Sequence, residues 1–154
     1  MKNNFFEVLD GQGLRVAIAQ ARFNRDITDS LADGAMEAME ECKVAVAQKF
    51  LVPGAFEIPL MCQKLAKTKK FDGIIAIGAV IRGETPHFDY VSKAVTDGVL
   101  RVMLDFAVPI AFGVLTANNL AQAAARAQGG AGNKGRETAL ALVETIIGLK
   151  KIEQ

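Results

Sequence analysis

The chain has 154 residues, of which 51% are hydrophobic and 23% charged. That length suits one domain spanning residues 1–154, with enough apolar material for a sizeable core, and it excludes general disorder. Lys and Arg total 18 against 17 Asp and Glu, a net charge of +1, which argues against a nucleic-acid binder that works by neutralising phosphates and against a polybasic membrane anchor.

Phe5 to Leu9 has strand character but precedes the first strand–helix unit, within an arm over residues 1–13. Leu14 to Ala21 reads as a strand. Asp26 to Glu41 follows with Ile27, Leu31, Ala35, Ala38, Met39 and Cys42 at helical spacing, and Asp29, Asp33, Glu37, Glu40 and Glu41 on the outer face. Lys49 to Val52 is a short strand stopped by Pro53-Gly54, and a helix runs from about Glu57 to Lys69. Gly73 to Ile81 is a continuous apolar run, the mark of a parallel strand buried on both faces. A helix over Phe88 to Phe106 turns Val91, Val95, Val99, Val102, Met103 and Phe106 inward. Pro109 to Leu115 is another buried strand, and Asn118 is the expected N-cap of a short helix ending near Arg126. The glycines Gly129, Gly130 and Gly132 break the chain before a last helix, Lys134 to Lys151. That helix carries Leu140, Val143 and Ile147 on one stripe, with Leu142, Ile146 and Leu149 on another.

Strand and helix alternate throughout, which predicts an α/β fold with right-handed crossovers. Four core strands make a flavodoxin-like three-layer α/β/α sandwich the simplest architecture. The unpartnered Phe5–Leu9 strand and the two-striped last helix predict apolar surface left for a neighbouring copy, with the strand adding to that neighbour's sheet. Cys42 and Cys62 have no metal-ligand spacing and are too few for a disulfide framework, so a cytoplasmic location is expected. The first residues carry no apolar signal region, and the uncharged stretch Phe106 to Ala125 is broken by Pro109, Asn118, Asn119 and Gln122. It falls short of the roughly 20 apolar residues of a membrane span.

In open α/β sheets ligands bind beyond the carboxyl ends of the strands. Those ends carry Arg22-Phe23-Asn24, then Pro53-Gly54-Ala55-Phe56-Glu57, then Arg82-Gly83-Glu84-Thr85-Pro86-His87, and last Thr116-Ala117-Asn118. Two aromatics, two carboxylates, amides, hydroxyls and the chain's one histidine suit a planar heterocycle held between rings, with a polyol or phosphate nearby. His87 sits at a strand-to-helix junction, where the helix N-terminus keeps a neutral imidazole available to take and return a proton. The blander alternative is a capping or surface histidine. Gly83-Glu84-Thr85 supplies backbone N–H groups and a hydroxyl at the same helix start, a ready anion site. Glu57 is equally a helix-start cap or a polar ligand contact. The run Gly129 to Gly135 has the composition of a phosphate loop but follows a helix, and Lys134 precedes Gly135 where a Ser or Thr belongs. It reads as a helix connector, with Arg126 and Lys134 as candidate anion contacts.

These residues match a family. The sequence resembles the 6,7-dimethyl-8-ribityllumazine synthases in Ala21-Arg22-Phe23-Asn24, in Val52 to Pro59 (Val-Pro-Gly-Ala-Phe-Glu-Ile-Pro), and in Gly78 to Phe88 (Gly-Ala-Val-Ile-Arg-Gly-Glu-Thr-Pro-His-Phe). Pro109 to Thr116 and Ala131-Gly132-Asn133-Lys134-Gly135 match as well, all in order and at the family's spacing. The resemblance implies a transferase that condenses 5-amino-6-(D-ribitylamino)uracil with 3,4-dihydroxy-2-butanone 4-phosphate, with no metal or organic cofactor. It implies Phe23 stacked on the pyrimidine, and Asn24 with Ala55, Phe56 and Glu57 on the ribityl chain. Ala79, Val80 and Ile81 would meet the pyrimidine through backbone groups, Glu84 and Thr85 would bind the phosphate, and His87 would move protons. Phe112, Arg126 and Lys134 would reach in from an adjacent subunit. The family's assemblies imply a homopentamer, with twelve pentamers in an icosahedral shell as the larger form and riboflavin synthase as a further partner. The chain departs from a common family pattern at Gln128-Gly129-Gly130, where relatives often carry Gly-Thr-Lys, so one basic residue near the phosphate is absent.

Two other classes are weighed against this. A flavin or nucleotide carrier would need a phosphate loop after the first strand, where Arg22-Phe23-Asn24 is too short and bulky. An inactive shell protein would not need His87, Glu57 and Arg126 where they are.

Overall fold

The computed structural model describes residues 9–129 and 132–154. The elements run β1 (Arg15–Ala21), α1 (Arg25–Glu41), β2 (Val46–Val52), a single 3₁₀ turn (Ala55–Glu57), α2 (Ile58–Thr68) and β3 (Gly73–Ile81). They continue as α3 (His87–Phe106), β4 (Ile110–Ala117), α4 (Leu120–Arg126) and α5 (Lys134–Glu153). The strands form one sheet in the order β2-β1-β3-β4, every pairing parallel. This is the expected flavodoxin-like α/β/α arrangement.

The two-residue period of a strand builds the layers. Val16 and Ile18 of β1, Ile75 and Ile77 of β3 and Leu115 of β4 face α1 and α5, where they meet Leu31, Met39, Leu142 and Ile146. The intervening residues Ala17, Ala19, Ile74, Ala76 and Val114 face α2 and α3, against Ile58, Cys62, Val95 and Val99. Because β3 is central, it is buried on both faces through Val80. Each such Ile, Leu or Val contributes about 1.5–3 kcal/mol by leaving water. The helices α1 and α5 cross so closely that a Cβ on Gly135 would lie 1.8 Å from the Leu31 carbonyl oxygen. Among the described residues no helix is long and apolar enough to cross a membrane.

Three expectations change in detail. β2 begins at Val46 rather than Lys49; as an edge strand it shows no apolar run, and only its register with β1, Arg15 opposite Val46, reveals its start. The cap of α4 is Asn119, not Asn118: its backbone is extended and its side chain accepts the Gln122 N–H. Asn118 instead receives a hydrogen bond from Arg82. The two stripes expected on α5 merge into one broad face, with Leu142, Val143 and Ile146 buried together and Leu140 and Ile147 at its margins. Only Leu149 and Ile152 stand clear of it. Of the expected strand Phe5–Leu9, Phe5 to Val8 lie outside the described residues, and Leu9 packs at the rim of the α1–α5 layer.

The register creates the feature that matters for function. β1 pairs with β3 only as far as Gln20 opposite Ile77, whereas β3 and β4 stay paired to Ile81 opposite Ala117. β3 therefore outruns its β1 neighbour over Gly78–Ile81, at the point where strand order reverses. There the sheet opens a crevice, and among the described residues no strand occupies that main-chain edge of β3.

Candidate active site

A cleft of about 350 Å³ fills that crevice. It is lined by Phe23 from the end of β1, Gly54, Ala55, Phe56 and Glu57 after β2, and Ala79, Val80 and Ile81 of β3. Gly83, Thr85, His87, Phe88 and Val91 close it from the β3–α3 turn. Three of the four strand ends thus meet, those of β1, β2 and β3, whereas Thr116-Ala117-Asn118 beyond β4 does not line the cleft.

The first wall is aromatic. Asn24 takes a left-handed backbone, φ 60°, a conformation that Asn tolerates better than most residues, and the chain turns sharply there from β1 into α1. Its side-chain N–H donates to the Ala79 carbonyl at 2.9 Å, tying the turn to the free end of β3. Phe23 beside it is 71% exposed and Phe56 across the cleft 63% exposed. Two large rings held open to water by neighbouring backbone are poor core residues and good stacking faces.

The carboxylate of Glu57 accepts the Gly54 N–H at 3.0 Å. That is the cap foreseen for it, yet Glu57 also lines the cleft, and a carboxylate has acceptor capacity beyond one bond.

The floor is the start of α3. His87 is its first residue, with Pro86 before it, and the Thr85 hydroxyl accepts the His87 main-chain N–H at 3.4 Å. The N–H groups of Gly83, Glu84 and Thr85 donate to no acceptor among the described residues. They stand with the dipole of a 20-residue helix, an arrangement that favours a negatively charged group.

Nine of the residues singled out from the sequence line this cleft: Phe23, Ala55, Phe56, Glu57, Ala79, Val80, Ile81, Thr85 and His87. Asn24 adjoins it through Ala79, and Glu84 lies on the loop without lining it. Phe112 faces a different hollow beside β4, with Met103, Pro109 and Thr138. Arg126 donates to the Gln122 carbonyl and Lys134 pairs with Glu137, both away from this chain's cleft. Phe88 and Val91 were not foreseen as lining. Val91 is read from its spacing as core, and its position one turn beyond His87 was the available signal.

The family model for 6,7-dimethyl-8-ribityllumazine synthase matches residues 13–150. Over 140 residues, 90% of each chain, the protein is 50% identical to the 6,7-dimethyl-8-ribityllumazine synthase of Desulfovibrio desulfuricans (strain ATCC 27774 / DSM 6949 / MB). Over the same share it is 48% identical to the enzyme of that name from Nitratidesulfovibrio vulgaris (strain DP4). With the model spanning the sheet, the cleft and all five helices, the chain belongs to the 6,7-dimethyl-8-ribityllumazine synthase family.

Proposed function

We propose that the cleft condenses 5-amino-6-(D-ribitylamino)uracil with 3,4-dihydroxy-2-butanone 4-phosphate to 6,7-dimethyl-8-ribityllumazine, releasing phosphate and water, as a step of riboflavin biosynthesis. The supporting observation is the meeting of two exposed rings, an unpaired β3 edge and a helix-start histidine in one cleft. The uracil stacks on Phe23 and meets the main chain of Ala79, Val80 and Ile81, which no strand occupies on that side. Asn24, Ala55, Phe56 and Glu57 hold the ribityl chain. Glu84 and Thr85 take the phosphate at the start of α3.

The chemistry follows from that placement. The 5-amino group attacks the ketone and expels water to form an imine, phosphate leaves by elimination to give an enol that tautomerises to a carbonyl, and the ribitylamino nitrogen attacks that carbonyl and expels a second water as the ring closes. Holding both reactants in register removes several kcal/mol of barrier. His87, beside the phosphate loop, moves the protons, a contribution of roughly 10²–10⁴-fold.

Phe112, Arg126 and Lys134 lie outside their own chain's cleft, which supports their service in a neighbour's. The enzyme is accordingly a homo-oligomer built from pentamers, acting in the cytoplasm. Incubating the purified protein with both substrates tests the activity directly: lumazine fluorescence should rise in step with released phosphate. No lumazine from the paired substrates overturns the reading.

A further inference from the structure

Arg82 is the first residue beyond β3, and it does not line the cleft. Its main-chain N–H donates to the Ala117 carbonyl at 2.9 Å, the last pairing before β3 and β4 part. Its side chain then turns sideways. Nε donates to the Asn118 side-chain oxygen at 3.2 Å, and the guanidinium lies 4.3 Å from the centre of the Phe88 ring. A terminal nitrogen comes within 3.6 Å of the Asp89 carboxylate. Asn118 is itself held, because its N–H donates to the Gln122 side chain at 2.8 Å. One residue thus grips both ends of the segment 83–87: its backbone anchors the start, and its side chain meets Phe88 and Asp89 just past the end.

Resting on the proposed reaction, we infer that Arg82 is a positioning residue that clamps the phosphate loop against the β4–α4 turn. It fixes where Thr85 and His87 stand without touching either substrate. The loop needs such a clamp, because residues 82–87 are exposed and Gly83, Glu84 and Thr85 make no main-chain hydrogen bond to the described residues. A planar guanidinium can stack on a ring and donate in its own plane at the same time. A lysine ammonium cannot, so charge alone does not replace it. The exposed pair with Asp89 adds little of itself; the stack and the Asn118 bond carry the geometry.

The test is steady-state kinetics of Arg82→Ala, Arg82→Lys, Asn118→Ala and the Arg82→Ala/Asn118→Ala double variant, with each substrate varied in turn. Misplacing reacting groups by about 1 Å costs up to about 100-fold. Arg82→Ala should therefore raise KM for the butanone phosphate and lower kcat, together about 10- to 100-fold. KM for the pyrimidine should stay within about twofold, since Phe23 and the β3 edge are untouched. Arg82→Lys should resemble Arg82→Ala. Asn118→Ala should fall short of it but add less than its full effect in the double variant, because both act through one contact. Arg82 is nearly half exposed, so the thermal midpoints should match the wild type within a few degrees. Unchanged kinetics in Arg82→Ala overturn the clamp, as do full activity in Arg82→Lys, equal losses for both substrates, or strict additivity. A wild-type protein that makes no lumazine overturns the proposed reaction itself and this inference with it. An active wild type beside an unaffected Arg82→Ala removes the clamp alone.

Discussion

His87 occupies the first position of α3, and the rest of the cleft holds no second group of its kind. No lysine or arginine of this chain lines the cleft either. The cysteines are no substitute. Burial pushes the Cys62 thiol up to about 12 and raises that of Cys42, so neither is a thiolate in the native protein. Replacing His87 with Ala should lower kcat by about 100-fold while leaving both KM values nearly as they are, because proton transfer is lost but positioning is kept. Initial rates at saturating concentrations of both substrates check this. Wild-type turnover in the variant would remove His87 from the chemistry, and a large rise in KM would reassign it to binding. His87 and Phe23 were legible in the sequence because each sits at a strand end and is chemically out of place in a core. Asn24 was legible as a position but not as a contact. Its bond to Ala79 depends on a left-handed turn and on β3 outrunning β1, and neither leaves a mark in residue spacing.

At the scale of elements, the run from Gly129 to Gly135 shows what composition conceals. The sequence identifies it as a helix connector, and α4 and α5 do flank it. It does not reveal that Asn133, 1% exposed, is the knot of that corner. Its side chain donates to the Ser30 carbonyl at 3.0 Å and to the Ala127 carbonyl at 3.2 Å, and accepts the Arg136 N–H at 3.0 Å. One amide therefore joins α1, the end of α4 and the start of α5. Asn133→Ala should lose the cap, about 1 kcal/mol, together with its bonds to the Ser30 carbonyl and the buried Ala127 carbonyl, for a total of about 2–3 kcal/mol. Gly135 reads as a breaker by type, yet it lies within α5, where its missing Cβ lets α1 approach. Gly135→Ala would press a methyl group on the Leu31 main chain, which cannot swing aside, at a cost of about 3 kcal/mol or more. Denaturant midpoints of both variants against the wild type are the measurement, and an Ala at 135 that costs nothing would contradict the crossing described. Long apolar elements such as β3 and α3 were legible because burial on one or two faces sets their period. Edge β2, the Asn119 cap and the merged stripe of α5 were not, because register and packing across the sheet decide them.

For the molecule as a whole, pH and neighbours set the terms of stability. Arg136 holds Glu41 in a two-pronged pair at 2.9 and 2.7 Å, joining the end of α1 to the start of α5 and keeping the Glu41 carboxyl below its ordinary range. The Gln20 amide, and after it Arg25, does the same for Asp29. A carboxyl lowered in the folded state contributes stability above its unfolded value, and that contribution disappears as pH falls through and below it. Stability should therefore drop between about pH 5 and pH 3, and Glu41→Gln should drop less, by about 0.5–1 kcal/mol for a largely exposed pair. Urea midpoints at both pH values decide it, and parallel losses in the two proteins would exclude the pair as a cause. Leu60, Tyr90, Leu100 and Leu104 are exposed along α2 and α3, Leu51 on edge β2, and Phe112 at the β4 edge, so apolar surface remains on more than one side. Among the described residues edge β2 has one row of main-chain groups open, and we propose that a neighbour's Phe5–Leu9 segment adds there. In the proposed assembly Phe112, Arg126 and Lys134 would complete a neighbour's cleft. A head-to-tail contact of this kind, used once per subunit, closes into a ring, and the proposed ring is a pentamer. We propose that twelve such pentamers close into an icosahedral shell. Light scattering and negative-stain images of freshly purified protein should show such particles. Discrete pentamers under every condition would refute the shell alone, and a fully active monomer at micromolar concentration would refute the shared site.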